Sequence, residues 1–301
     1  IGDDAVNFNG DISFAANASL DVDMQNDDAA PGVDRVIIAA NANLVLSGTG
    51  AATVRVSQRV LVNAGGSIET VNGNLTVEAN QQTTATTGAF SSVTITGAGS
   101  KLGCSGSGIL TVNGRGGDFG TWYGVFVDAG GIITGGTAAV YVTGTGGNST
   151  SDSNFGVYVT GTNSSITSSG GNLSVTGTGG GSGASGSDYG IFVGFNGMIS
   201  AGGNGTVTVV GNGGTASTGN SNFGVFVSAT NARITSSGGD VSVTGRGGGS
   251  GTSNQHIGVF ALFGGQITAG GSGTVTVVGN DGIGSAGGAG VAVTGANARI
   301  T

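Results

Sequence analysis

The fold of this chain is constrained most by a six-residue phrase that recurs along its second half. The phrase reads NFGVYV at 154–159 and NFGVFV at 222–227, and weaker copies lie before, between and after these two. Its central glycines are separated by 32, 34, 34, 34 and 32 residues: Gly124, Gly156, Gly190, Gly224, Gly258 and Gly290. A fixed period of this length is the signature of stacked repeat architectures.

Each period contains three short apolar runs. The phrase is the first, an isoleucine marks the second, and an alternating run such as Val207-Thr208-Val209 is the third. The isoleucines recur with the period: Ile133, Ile166, Ile199, Ile234, Ile267 and Ile300. Alternation predicts strands with one buried face, and Gly-Gly pairs between the runs predict turns. Three strands in one repeated order predict an all-β, three-faced parallel β-helix, or β-solenoid, with about 33 residues per coil.

The same alternation assigns a direction to the side chains of the first run. The valines after the glycine are predicted to point inward, as is the residue before it: Tyr123, Phe155, Tyr189, Phe223 and Ile257. The aromatic residue between the valines is predicted to point outward and to form an interaction stripe: Phe126, Tyr158, Phe192, Phe226 and Phe260. A continuous apolar stripe of this kind usually marks an interaction surface. The alternative is that Gly/Ser-rich loops fold back and cover it.

Composition and charge exclude several classes of partner. The formal net charge is −8, with only eight Lys and Arg residues, which are scattered along the sequence. Nucleic-acid recognition needs clustered basic residues, so neither nucleic acid nor an anionic membrane surface is expected as a partner. No run approaches the roughly 18 apolar residues of a membrane helix, so no membrane insertion is expected. The single cysteine, Cys104, cannot form an internal disulfide.

Three regions differ in regularity. Residues 1–56 hold eight of the sixteen acidic residues and are interpreted as irregular acidic N-terminal coils. Residues 57–122 form less regular coils, and residues 123–301 form regular glycine-rich repeats with an uncapped C-terminal end. Solenoids need polar terminal caps to stay soluble. The chain is therefore expected either to be an excerpt of a longer protein or to stack end to end as a filament.

Carboxylates are concentrated in one N-terminal segment, at Asp21, Asp23, Asp27 and Asp28. Ca²⁺ takes six to eight oxygen ligands, and oxygen-rich loops of this kind can hold it. The spacing differs from an EF-hand loop, which needs a glycine at its sixth position and a terminal Glu. The alternatives are a calcium site and a solvated acidic loop, and no other cofactor is expected.

No arrangement of residues predicts catalysis. Parallel β-helices include enzymes that act on polysaccharides, and these need grouped carboxylates on one face. Asp152 and Asp188 occupy near-equivalent repeat positions but have no basic partner nearby in the repeat, so solvated loop residues or a weak cation site are expected. A Ser-His-acid relay would depend entirely on His256, the only histidine, which is interpreted as a surface variant of Asn154 and Asn222. No catalytic residue is predicted.

In repeat style and composition the chain resembles bacterial giant surface exoproteins, in particular filamentous-haemagglutinin-like β-strand-repeat adhesins. The stretches that carry the resemblance are GVFV, ITSSGGDVSVTG and GTVTVVGN. The resemblance implies a right-handed parallel β-helix, export across the envelope, and a role in adhesion or extracellular structure. None of the binding residues of that class can be transferred to this chain.

These observations lead to one main functional hypothesis and two alternatives. The main hypothesis is a non-enzymatic structural protein, a rod or filament segment on or outside a bacterial cell, whose partner is itself through end-to-end or lateral contacts. The first alternative is an adhesin that binds surface glycans or cells, with Phe126, Tyr158, Phe192 and Phe226 as a platform on which sugars stack. The second alternative is a polysaccharide-acting β-helix enzyme.

Overall fold

A computed structural model describes residues 3–25, 32–251, 253–284 and 286–301. All regular structure in these residues is β-strand. No helix in the described part of the chain is long and apolar enough to cross a membrane.

The strands are short and evenly distributed along the chain. The first twelve are β1 (Ala5–Phe8), β2 (Ile12–Ser13), β3 (Leu20–Met24), β4 (Arg35–Ile38), β5 (Asn43–Val45), β6 (Ala52–Val56), β7 (Arg59–Val62), β8 (Ser67–Thr70), β9 (Leu75–Ala79), β10 (Val93–Thr96), β11 (Lys101–Cys104) and β12 (Leu110–Arg115). The others are β13 (Val125–Asp128), β14 (Ile132–Gly135), β15 (Val140–Thr145), β16 (Val157–Val159), β17 (Ser165–Ser168), β18 (Leu173–Thr178), β19 (Ile191–Val193), β20 (Met198–Ala201), β21 (Val207–Asn212), β22 (Val225–Ser228), β23 (Arg233–Ser236), β24 (Val241–Arg246), β25 (Ile257–Leu262), β26 (Gln266–Thr268), β27 (Val275–Asn280), β28 (Ala289–Thr294) and β29 (Arg299–Ile300).

Every third strand belongs to the same sheet. Sheet 1 runs from β1 through β4 and β7 to β28, sheet 2 from β2 through β5 and β8 to β29, and sheet 3 from β3 through β6 and β9 to β27. The pairs within each sheet are parallel, as between Val157 and Ile191 or between Val175 and Val209. The chain is therefore a parallel β-solenoid of about nine turns with about 33 residues per coil, which confirms the predicted fold. Its handedness stays a prediction.

Like side chains lie directly over one another along the core. Ile166 is in register with Ile133 on one side and with Ile199 on the other, and Ile199 is in register with Ile234. These isoleucines have no exposed surface, and neither have the inward valines of sheets 1 and 3 such as Val157 and Val209. Burying a side chain of this size contributes about 1.5–3 kcal/mol. The core is consequently a continuous column of stacked aliphatic residues.

The second coil, which contains β4, β5 and β6, is shorter than the other coils described. Val36 pairs with Val60 and Leu44 pairs with Ile68, so each pair spans 24 residues, whereas Val157 and Ile191 are 34 apart. The inward residues of this coil are fully buried in the same core. The shorter coil therefore keeps the cross-section of the core and loses residues only from its connections.

The glycine of the repeated phrase is required by a close approach of two backbones. Gly224 lies at the corner where sheet 3 leads into sheet 1, opposite Gly211 near the end of β21. A Cβ on Gly211 would collide with the carbonyl oxygen of Gly224, and a Cβ on Gly224 would lie 2.7 Å from the carbonyl oxygen of Gly211. Gly224 does not have a positive φ. Absence of a side chain, rather than an unusual backbone angle, is what this corner requires.

Candidate functional site

An aromatic row runs along the outside of sheet 1. Its members are the five residues of the predicted interaction stripe, here called the outer row: Phe126, Tyr158, Phe192, Phe226 and Phe260. Each ring stacks on the next, with centroids 4.9–5.3 Å apart and planes within 28° of each other. Phe192 lies between Ile191 and Val193, which are fully buried in the core. The outward direction predicted for this row is therefore confirmed.

Four of the residues before the glycine form a second row beside the first, and the prediction that these four point into the core is wrong. The fifth, Ile257, lies inside β25 and is 9% exposed. Tyr123, Phe155, Tyr189 and Phe223 stack on one another with centroids 4.9–5.2 Å apart. They also contact the outer row edge to face, as Phe155 does with Tyr158 at 5.1 Å. In the coils of these four residues the strands begin only after the glycine, as at Val157 and Ile191, so strand alternation does not reach them. They are called the flanking row.

The two rows bury much of each other's surface. Phe155 and Phe223 are only 5% and 6% exposed, whereas the outer-row rings are partly exposed. Loss of solvent raises the pKa of the Tyr123 hydroxyl to about 12, with a smaller contribution from Tyr158. Each of the three central rings of the outer row is covered on both faces by the ring before it and the ring after it. The outer row therefore presents ring edges to solvent. Gly/Ser-rich loops thus do not bury the outer row, and a flat array of open ring faces is not formed either.

A buried polar column runs parallel to the aromatic rows, at the corner between sheets 3 and 1. It consists of the residue that opens each of the four central phrases: Asn154, Asp188, Asn222 and His256. None of the four has exposed surface. Each of the last three side chains accepts a hydrogen bond from the backbone N–H of the column residue one coil earlier, 34 residues back. The distances are 2.9 Å to Asp188 Oδ1, 2.9 Å to Asn222 Oδ1 and 3.2 Å to His256 Nδ1.

The side chain of each of the last three column residues also forms a hydrogen bond with the glycine-rich loop that precedes it in the sequence. Ser185 donates to Asp188 Oδ2 at 2.9 Å, and Asn222 Nδ2 donates to Ser217 Oγ at 2.8 Å. Buried backbone and side-chain polar groups need such partners, because an unpaired one costs about 1–3 kcal/mol. The column therefore connects neighbouring coils and also attaches the long loops between sheets 3 and 1 to the solenoid.

Asp188 is the acidic member of the column, and the prediction that it is a solvated loop residue is wrong. Burial is the main influence on its carboxyl and raises its pKa to about 6, against hydrogen bonds from Asn154 and Ser185 that lower it. The charge of Asp152 adds a smaller upward contribution. Asp152 itself is exposed and accepts a hydrogen bond from the backbone N–H of Gly186 at 2.7 Å. Among the residues described, the two carboxylates belong to no group of three or more His, Cys, Asp or Glu side chains that could hold a metal, and a weak cation site at the pair stays a prediction.

His256 is equivalent to Asn154 and Asn222, as predicted, but it is buried rather than on the surface. Its Nε2 lies 2.7 Å from the hydroxyl of Ser253, a distance that suits a serine–histidine pair. Its Nδ1, however, accepts the backbone N–H of Asn222, so the ring proton is on Nε2 and is donated to Ser253. A catalytic base would need a free Nε2 and an acid at Nδ1. The geometry is that of a structural histidine.

The structure describes half of the predicted calcium ligands. Asp21 and Asp23 both lie on the exposed side of β3. Oδ2 of Asp23 lies 3.8 Å from Nη1 of Arg55. Asp27 and Asp28 lie outside the described residues. In the part of the chain that is described, no group of three or more His, Cys, Asp or Glu side chains could hold a metal. The calcium site stays a prediction.

Two surface pockets follow the turn between sheets 1 and 2. One is lined by Thr230, Asn231, Phe263, Gln266 and Arg299 together with small residues, and the other includes Thr162, Asn196, Met198 and Arg233. Neither contains a carboxylate, a histidine or a cysteine. General acid–base catalysis needs at least one such group within reach of a substrate. These pockets therefore offer polar contacts without the groups for hydrolysis or elimination.

In comparisons with known proteins, no family model, no curated protein and no solved structure matches this chain. The chain is a β-helix repeat protein by its own geometry.

Proposed function

We propose that this protein is a non-enzymatic structural element, a segment of an extracellular rod or filament on a bacterial surface or in a matrix. The observation that carries the proposal is the unbroken register of all three sheets, in which Ile166, Val157 and Val175 each have a like residue above and below. Parallel ladders of this kind place backbone hydrogen bonds along the long axis. A body built in this way resists extension and proteolysis along its length.

Two further features support a mechanical role. The aromatic double row and the buried polar column join successive coils outside the aliphatic core, each through direct contacts between neighbouring coils. Neither feature leads to an open cavity with reactive groups. Self-contacts between copies, lateral or end to end, would extend the rod, and the resemblance to surface adhesins supports export to the cell surface.

Glycan binding on the outer row is a weaker alternative. Sugars stack on open ring faces, but Tyr158, Phe192 and Phe226 cover each other's faces, with centroids about 5 Å apart. An adhesin would therefore have to use the ring edges or another surface. Polysaccharide cleavage has less support still. The two pockets described above contain no acidic side chain, and the acids of two further pockets are engaged: Glu69 is ion-paired with Lys101, and Asp118 accepts the backbone N–H of Gly88.

Single-molecule pulling along the chain tests the mechanical proposal. We expect a series of force peaks, each releasing about one coil, or roughly 110 Å of contour length at about 3.3–3.4 Å per residue. Electron microscopy of the concentrated protein should show ordered linear or bundled assemblies. Unfolding at low force in one step, or single particles at every concentration, would contradict the mechanical role and the assembly respectively. Cleavage of any glycan by the purified chain would contradict the non-enzymatic part.

A further inference from the structure

Two arginines that are far apart in sequence lie side by side on the outside of sheet 1. Arg35 opens β4 and Arg59 opens β7, and the two residues are in direct register across the parallel pair. Strands in a sheet are about 4.7–4.9 Å apart, so the two side chains leave the sheet as close neighbours. The short second coil produces this pairing. The basic residues of this chain are therefore not all scattered, contrary to the expectation from the sequence.

Arg55 on sheet 3 and Lys101 on sheet 2 have acidic partners, but this pair has none among the described residues. Arg55 Nε lies 2.9 Å from Oε2 of Glu78 and also pairs with Asp23, and Lys101 pairs with Glu69. The carboxylate of Asp34, next to Arg35, is already occupied. Its Oδ1 accepts the backbone N–H of Asp4 and its Oδ2 accepts the hydroxyl of Ser57, each at 2.8 Å.

The buried nitrogens of the pair lack hydrogen-bond partners. In the described part of the chain, three buried side-chain polar atoms have no partner: Arg35 Nε, Arg59 Nε and Thr70 Oγ1. Two of the three thus lie at this one place. A buried unpaired donor is rare in native proteins, and such a donor can mark a position where an ion or a water molecule binds.

Like charges directly opposite each other on neighbouring strands are also destabilising. Loss of solvent lowers the pKa of the Arg59 guanidinium, and the charge of Arg35 lowers it further. The apolar side chains of Ile37 and Leu61 follow the arginines on the same face, so they supply no compensating charge. The site therefore has two positive charges, unpaired donors and no described counter-ion, in a chain whose net charge is −8.

We propose that Arg35 and Arg59 together bind one oxyanion group, a carboxylate, sulfate or phosphate, held between the two guanidinium groups. Guanidinium groups form paired hydrogen bonds to such oxygens, and an anion between them offsets their repulsion. The group is either a free inorganic ion or a substituent of an acidic polysaccharide. This site goes beyond the structural role proposed above.

NMR titration of the arginine Nε–H resonances tests the site directly. Sodium sulfate and sodium phosphate are added to the folded protein, with sodium chloride at the same ionic strength as the control. We expect the resonances of Arg35 and Arg59 to shift and saturate with sulfate or phosphate, while those of Arg246 stay in place. A sulfated oligosaccharide that saturates the same shifts at a concentration at least tenfold lower would identify the polymer as the source. Inorganic ions binding equally well would identify the free ion.

Variants provide the second measurement. Arg35→Gln and Arg59→Gln should each abolish the extra rise in melting temperature that sulfate gives over chloride, and Arg246→Gln, on the exposed side of sheet 3, should retain it. An equal response of all three variants, or no shift of either Nε–H resonance, would overturn the proposal. It would also be overturned if the sulfate response appeared only in an Asp27→Asn, Asp28→Asn double variant, because acids of the chain itself would then be the natural partners.

Discussion

His256 accepts the backbone N–H of Asn222 through Nδ1, at 3.2 Å, and donates from Nε2 to Ser253. The bond from Asn222 needs the neutral imidazole, because a protonated Nδ1 cannot accept, whereas the bond from Nε2 to Ser253 does not. Burial lowers the pKa of His256 from its ordinary value, so the neutral form is favoured in the folded protein. The imidazole ring thus joins two coils through a hydrogen bond that is lost when the ring is protonated.

We expect His256 to make the solenoid less stable as the pH falls. Because its folded pKa is lowered, the stability linked to it is present above about pH 6.5 and is lost as the pH drops below that value. His256→Asn places the residue of Asn154 and Asn222 at this position. The difference in melting temperature between wild type and His256→Asn should therefore shift in favour of the variant between pH 7 and pH 5. A difference that stays constant over this range would contradict the prediction.

Asp188 should have the opposite pH dependence. Its folded pKa is raised to about 6 from 3.8, so ionisation destabilises the fold above about pH 6, and this penalty disappears as the pH falls towards 4. A shift of this size corresponds to about 3 kcal/mol. Asp188→Asn should stabilise the protein at pH 7.5 and have a much smaller effect at pH 4, measured by thermal unfolding. Asp152→Asn, at an exposed position, is the control and should change stability little at either pH. A variant less stable than wild type at pH 7.5 would show that the carboxylate is needed in its ionised form.

The aromatic double row should contribute to stability more than its exposure suggests. Phe192 stacks on Tyr158 and Phe226 and contacts Phe155 and Tyr189 edge to face. Phe192→Ala should destabilise by roughly 2–4 kcal/mol.

Phe195, three residues later, is 65% exposed in a turn and provides the matched control. Phe195→Ala should change the melting temperature little. Hydrogen exchange should show the loss in Phe192→Ala concentrated in β16, β19 and β22, since each coil contacts mainly its neighbours. Equal effects of the two substitutions would mean that the stacked rows add no stability.

The close approach of Gly211 and Gly224 can be tested by adding a single methyl group. Gly224→Ala should lower the melting temperature strongly or prevent folding, because its Cβ would collide with the backbone N of Arg246. Gly170 has no positive φ and nothing within 4 Å of the position of a Cβ. Gly170→Ala should therefore be neutral or slightly stabilising, by about 0.4–1 kcal/mol. A well-folded Gly224→Ala with unchanged stability would contradict the close packing of this corner.

The sequence was sufficient to predict the solenoid, because Ile166, Ile199 and Ile234 recur at the period of the coil and alternate with polar neighbours. It was misleading for Phe155 and Tyr189, since inward and outward alternation holds only inside a strand and these residues precede one. The polar column had a visible signal, as Asn154, Asp188, Asn222 and His256 all open the phrase. Polar residues of these types are usually exposed, so their burial could not be predicted from the sequence. The pairing of Arg35 with Arg59 depended on a coil 24 residues long, which breaks the period.

The register of the regular coils has a consequence for how such a chain can change in length. Between Val157 and Val225 the core, both aromatic rows and the column repeat after 34 residues with the same neighbours above and below. Duplicating or deleting one such block in the gene would lengthen or shorten the molecule by a single step of about 4.8 Å without creating any new kind of contact. Molecular length is thus adjustable in small increments while the cross-section stays constant.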